Sequence, residues 1–140
     1  MTDVRRRACA WLLIAALTGA GACSNAPTVP TTPAPTSQTL IFSSRLTAGG
    51  VAWKQFNVTA TGNVTVRLAV LSPDDTLVMR LSLGSFDGTT CTPTNVVDTP
   101  TGDDPQLTVP VTIGRYCVQI SDIGNLTRIN DFGIIVVIPL

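Results

Sequence analysis

Residues 63–71 read "NVTVRLAVL". Val64, Val66, Leu68 and Val70 fall at every second position, and Thr65 and Arg67 fall between them. A period of two is the mark of a strand with one face in a core and one in water. Working outward, "SPDD" (72–75) puts Pro and Asp where tight turns use them. "LVMRLSL" (77–83) then resumes the alternation, with Leu77, Met79, Leu81 and Leu83 on one face and Arg80 and Ser82 on the other. Upstream, "TLIFSSRL" (39–46) runs into Gly49-Gly50, and "AWKQFNVT" (52–59) runs into the turn at Thr61-Gly62. Downstream, "QLTVPVTI" (106–113) contains Pro110, which has no N–H for a ladder and assigns that strand to a sheet edge. "RYCVQIS" (115–121) points Tyr116, Val118 and Ile120 inward. "DFGIIVVI" (131–138) is apolar on both faces, so it belongs at the centre of a sheet. The pattern predicts an all-β fold over 39–140: a single antiparallel β-sandwich of about seven strands.

Residues 84–105, "GSFDGTTCTPTNVVDTPTGDDP", break this rhythm. They read as a long connection, and such loops need tying down or serve a function. Cys91 lies in this segment and Cys117 in the strand at 115–121. In an exported chain the two are expected to form a disulfide. Cys117 alternates away from Tyr116 and Val118, so the bridge should pin the segment across the outer face or edge of the sheet. A ring of about 27 residues closed in this way stabilises by roughly 3–4 kcal/mol in the loop-closure account.

The N-terminus has a different composition. "MTDVRRR" is a basic head, "ACAWLLIAAL" an apolar run of ten, and "TGAGAC" a stretch of small residues. That is the order of a secretory signal, and the run is too short for a span of about 20 residues. "AGAC" is similar to the lipobox of bacterial lipoproteins, with Ala20 where Leu is preferred. The similarity implies that residues 1–22 are removed and that Cys23 carries a diacylglycerol thioether and anchors the chain to a membrane. Ser24 resembles a signal for transfer to an outer membrane in a host that has one. Cleavage at the A-x-A of Ala20 and Ala22, giving a freely secreted chain, is the alternative. Residues 24–38, "SNAPTVPTTPAPTSQ", hold four prolines and four threonines. With Cys23 they read as a disordered, extended tether, 23–38, ahead of the sandwich domain. Cys9 falls in the signal and has no role in the exported protein.

Composition excludes much. The 140 residues contain no His, and the nine acidic residues are all Asp. Ser-His-Asp and Cys-His catalysis are therefore impossible, and no nucleotide or nucleophile-elbow fingerprint occurs. Residues 1–22 hold three basic and one acidic group, so the rest has six basic and eight acidic groups, a net of −2. Such a surface has no electrostatic reason to bind nucleic acid. Asp74-Asp75 and Asp103-Asp104 read as turn residues before they read as catalytic carboxylates, so the chain is not expected to be an enzyme. The Asn-x-Thr triplets at Asn57, Asn63 and Asn125 read as strand Thr beside turn Asn.

"KQFNVTATGNVTVRLAV" (54–70), "GRYCVQISDIGN" (114–125) and "DFGIIVVIP" (131–139) together resemble the bacterial pre-peptidase C-terminal domains and their collagen-binding-domain-like relatives. The resemblance implies a jelly-roll-like sandwich, usually appended to secreted enzymes or surface proteins, in which some members bind Ca²⁺ and some bind extracellular polymers. Residues 39–50 contain no Asp, so the acidic cluster that Ca²⁺-binding members carry there has no counterpart.

Three expectations about sites follow. No cofactor or metal is expected; Asp87, Asp98, Asp103 and Asp104 are the candidates should Ca²⁺ bind, since hard oxygen ligands suit it. Trp53 is out of phase with Phe56 and Val58. It is expected to pack under the 84–105 segment; the other reading is an exposed stacking platform for a sugar or a partner's side chain. The function expected is non-catalytic: an envelope module binding an extracellular polysaccharide or protein, or serving as a structural accessory there. The alternative is an accessory or inhibitory partner of a secreted hydrolase.

Overall fold

A computed structural model describes residues 36–140. The expected signal (1–22), the lipidation site Cys23 and the tether as far as residue 35 lie outside the described residues. Eight strands follow: β1 (Ser37–Leu46), β2 (Val51–Val58), β3 (Gly62–Ser72), β4 (Met79–Phe86), β5 (Cys91–Thr99), β6 (Leu107–Val111), β7 (Gly114–Ser121) and β8 (Asn130–Pro139). They form two four-stranded antiparallel sheets, ordered β1-β8-β3-β6 and β2-β7-β4-β5. Every connection crosses from one sheet to the other except the β4–β5 hairpin. That winding is the eight-stranded jelly roll. β1 starts at Ser37, two residues before the alternation became legible at Thr39.

The core is the set of inward residues of both sheets. Val64, Val66 and Leu68 of β3, Leu81 and Leu83 of β4, Val118 and Ile120 of β7, and Phe132, Ile134 and Val136 of β8 are buried in one cluster. β8 lies between β1 and β3 in sheet order, as its two apolar faces required. β6, with Pro110, is an edge strand paired only with β3.

Two expectations are corrected. The alternation of β3 does not run through to Val70. The β3–β8 register shifts between Leu68 and Val70, so Val70 faces out, 51% exposed, and Leu71 takes the buried place. One inserted residue reverses the faces beyond it. The segment 84–105 is also not one long loop. Gly84–Phe86 completes β4, and Cys91–Thr99 forms β5 against it. β5 is an edge strand whose residues from Thr92 to Val96 are exposed. Its sequence lacks the apolar alternation that marks half-buried strands, because it buries almost no face.

Candidate functional site

Of the site residues expected from sequence, Trp53, Cys91 and Cys117 gather on the outer face of the β2-β7-β4-β5 sheet. On β2, Ala52, Phe56 and Val58 turn to the core side, and Val51, Trp53, Gln55 and Asn57 turn outward. Across the ladder, Trp53 opposes Gln119, Gln55 opposes Cys117 and Asn57 opposes Arg115. Cys117 in turn opposes Gly84 on β4.

Cys91 and Cys117 form the disulfide, with an S–S distance of 2.04 Å and Cα atoms 5.8 Å apart. β5 and β7 are separated by β4, and strands two places apart lie about 9.6 Å from each other. The start of β5 therefore leans over β4 to reach Cys117. Gly84 is where it leans: a Cβ there would lie 2.0 Å from the Thr92 carbonyl oxygen. The β4–β5 register shifts at the same point, between Leu83 and Gly84. Phe86, Cys91 and Cys117 form a second small apolar cluster on the outer face. The bridge thus lies at the outer face and edge, as the alternation of Cys117 required.

Trp53 combines both readings of it. Its ring lies 5.5 Å from that of Phe86, tilted by 40°, yet it remains 42% exposed. Trp53 stands on β2 and Phe86 on β4, so the pair meets above β7, where Cys117 is fully buried. Arg115 braces the far side: its guanidinium lies 5.9 Å from the Phe86 ring and donates to the Asp87 carbonyl at 3.2 Å. Gln119 (half-buried), directly opposite Trp53, and Gln55 (exposed), next along the same face of β2, supply amide donors and acceptors beside the indole. The arrangement offers a braced, half-open aromatic flanked by polar side chains, and it holds no pair of groups set for proton transfer or nucleophilic attack. Phe86 and Arg115 were not singled out from sequence; Phe86 sat in what read as a loop, and a surface Arg on a strand carries no signal of its own.

The four candidate Ca²⁺ ligands are not brought together. Asp87 accepts the N–H groups of Thr89 and Thr90 at 2.8 and 2.7 Å and caps its own turn. Those donors hold its carboxyl below the usual range, Thr90 first and Thr89 next. Asp98 takes the Arg80 guanidinium side-on, with both contacts at 2.8 Å, and this lowers its pKa. Asp103 pairs with Arg67 at 3.5 Å. Asp104 is exposed in the β5–β6 loop. Among the described residues, no group of three or more His, Cys or Asp side chains is placed to hold a metal ion, and no pocket opens.

The motifs that carried the family resemblance acquire physical roles. In "GRY" (114–116), the Tyr116 hydroxyl donates to the Thr112 carbonyl at 3.1 Å and accepts the Thr112 N–H at 3.2 Å, clamping the β6–β7 turn. In "DIGN" (122–125), Asp122 accepts four backbone N–H groups, from Gly49, Gly124, Asn125 and Leu126, at 2.8–3.1 Å. Desolvation, the largest single influence, raises its carboxyl, and the four donors together outweigh it and hold it low. Asp122 thereby ties the β1–β2 turn to the β7–β8 loop, next to the point where β2 begins. A scan against protein-family models finds no match, and a search of curated proteins finds none.

Proposed function

We propose that the chain is an exported lipoprotein, anchored through Cys23, that presents its jelly roll as a non-catalytic binding module in the cell envelope. The observation that carries the binding part is Trp53. A half-exposed indole braced by Phe86, with Gln119 opposite it and Gln55 next along the same face, is suited to stack on a sugar ring or a partner's side chain while amides fix its orientation. The anchoring part rests on the basic–apolar–small order of residues 1–22, the "AGAC" ahead of Ser24, and the Pro/Thr tether. The likeness to pre-peptidase C-terminal domains supports an extracellular polymer or protein as ligand. Position agrees with presentation: Thr36, where the tether joins, sits beside Leu140 at one end, and β2 enters from the other end two residues before Trp53.

Two experiments separate the parts. Labelled palmitate should be incorporated by the wild type and not by Cys23→Ala; soluble release of unlabelled protein would favour plain secretion. A panel of envelope polysaccharides and secreted proteases should yield a ligand whose binding falls about tenfold in Trp53→Ala. Retention that ignores Trp53 would remove the face from consideration. Inhibition or activation of a protease on the panel would select the accessory role instead.

A further inference from the structure

The two ends of the jelly roll differ in charge. The connections at one end, 47–50, 73–78, 100–106 and 122–129, carry Asp74, Asp75, Asp103, Asp104, Asp122 and Arg128. Those at the other end, 59–61, 87–90 and 112–113, carry Asp87 alone and no Lys or Arg. The Asp87 carboxylate already accepts the Thr89 and Thr90 N–H groups. The N-terminal segment arrives at this second end, where the Leu140 N–H donates to the Thr36 carbonyl at 3.1 Å. Gly62 pairs with Val111 and Val58 with Gly114 at the same end, which places the β6–β7 turn there too. Ile113, at the tip of that turn, is 71% exposed, more than any other large apolar side chain among the described residues. Leu140 is 48% exposed. The tip is held out and not merely loose: the Tyr116 hydroxyl donates to the Thr112 carbonyl and accepts the Thr112 N–H. A turn whose backbone groups are already bonded leaves water without an unsatisfied donor or acceptor.

We propose that this end of the jelly roll rests on the lipid bilayer that holds Cys23, with the Ile113 tip inserted at the headgroup boundary. Thirteen residues of chain run from Cys23 to Thr36, so Thr36 stands at most about 45 Å from the lipid. That confinement holds the domain at an effective concentration on the order of millimolar beside the bilayer, where a contact of one or two apolar side chains suffices. With no Lys or Arg in these connections the attraction is apolar, and zwitterionic headgroups serve as well as anionic ones. The charged end then faces away from the bilayer, and Trp53, two residues into β2 from that end, stays open. The inference rests on the anchor at Cys23 and not on the ligand of Trp53.

The test uses the lipidated full chain, reconstituted into phosphatidylcholine vesicles whose acyl chains carry bromine, a contact quencher of tryptophan. Trp53 is the only tryptophan after residue 22, and a Trp53→Phe background leaves a single reporter in each variant. Ile113→Trp should shift to the blue and lose its emission to the bromines, and Leu140→Trp, a second reporter at the same end, should follow it. Ile123→Trp, in the β7–β8 connection at the far end, should do neither, nor should Trp53 of the wild type. Raised salt or added phosphatidylglycerol should leave the quenching unchanged. Equal quenching at 113 and 123, or none at 113 and 140, would overturn docking through this end. Quenching that requires phosphatidylglycerol would overturn the apolar contact. If labelled palmitate is not incorporated at Cys23, the anchor falls and the docking with it; if it is incorporated and position 113 stays unquenched, the docking falls and the anchor stands.

Discussion

Asp74 receives the Arg128 guanidinium on both carboxylate oxygens and the Asn130 amide on one, while the Asn130 side-chain oxygen accepts the Asp74 N–H at 3.0 Å. Asn130 is fully buried, so this cluster fastens the β3–β4 turn to the start of β8. The Arg128 hydrogen bond, then that of Asn130, pulls the Asp74 carboxyl from 3.8 down to about 2. A carboxylate with a depressed folded-state pKa contributes stability above its unfolded value and loses it as pH falls through the folded one. Stability should therefore decline between pH 3.8 and about 2 by a part that Asp74→Asn removes, measured by urea denaturation across that range. Gly84 is the second residue on which the local structure turns. Gly84→Ala should cost about 3 kcal/mol by chemical denaturation, because the new methyl must displace the Thr92 backbone and with it the lean of β5. A Gly84→Ala protein of wild-type stability would mean that β5 does not cross so closely.

At the scale of elements, β3 shows how a single irregularity redirects a strand. The pattern of 63–71 made Val70 a core residue, and the register shift after Leu68 gives that place to Leu71. Val70 instead covers Gly133 on the outer face, where its Cβ would lie 3.3 Å from a Cβ added to that glycine. Leu71→Ala should lose about 2–5 kcal/mol and Val70→Ala within about 1 kcal/mol, compared by thermal melts. Equal losses would argue for an unshifted strand. β5 shows the converse. Its exposed residues from Thr92 to Val96 carry no periodicity, and the strand exists because β4 offers it a ladder and Cys117 offers it a bond.

At the largest scale, the described residues form a closed winding in which the last strand fills the centre of the first sheet. β8 holds β1 on one side and β3 on the other. A chain ending at Phe132 should lose cooperative melting by circular dichroism, since β1 would have no partner and Ile134, Val136 and Ile138 would leave the core. Persistence of a native-like melt would contradict the strand order. Much of this architecture was legible in the amino-acid sequence alone. Period-two alternation supplied seven of the eight strands; Pro110 supplied an edge and the two-faced run at 131–138 a centre. The export-like N-terminus pointed to a Cys91–Cys117 disulfide, and the phase of Cys117 supplied the side of the sheet on which it lies. These are local properties, written by side-chain polarity at neighbouring positions. Tertiary structure decided the rest: β5 as an eighth strand, the exchange of Val70 for Leu71, and the brace of Phe86 and Arg115 behind Trp53. Each depends on which strand lies alongside, and a backbone ladder or a ring stacked across β7 leaves no trace in the polarity of adjacent residues.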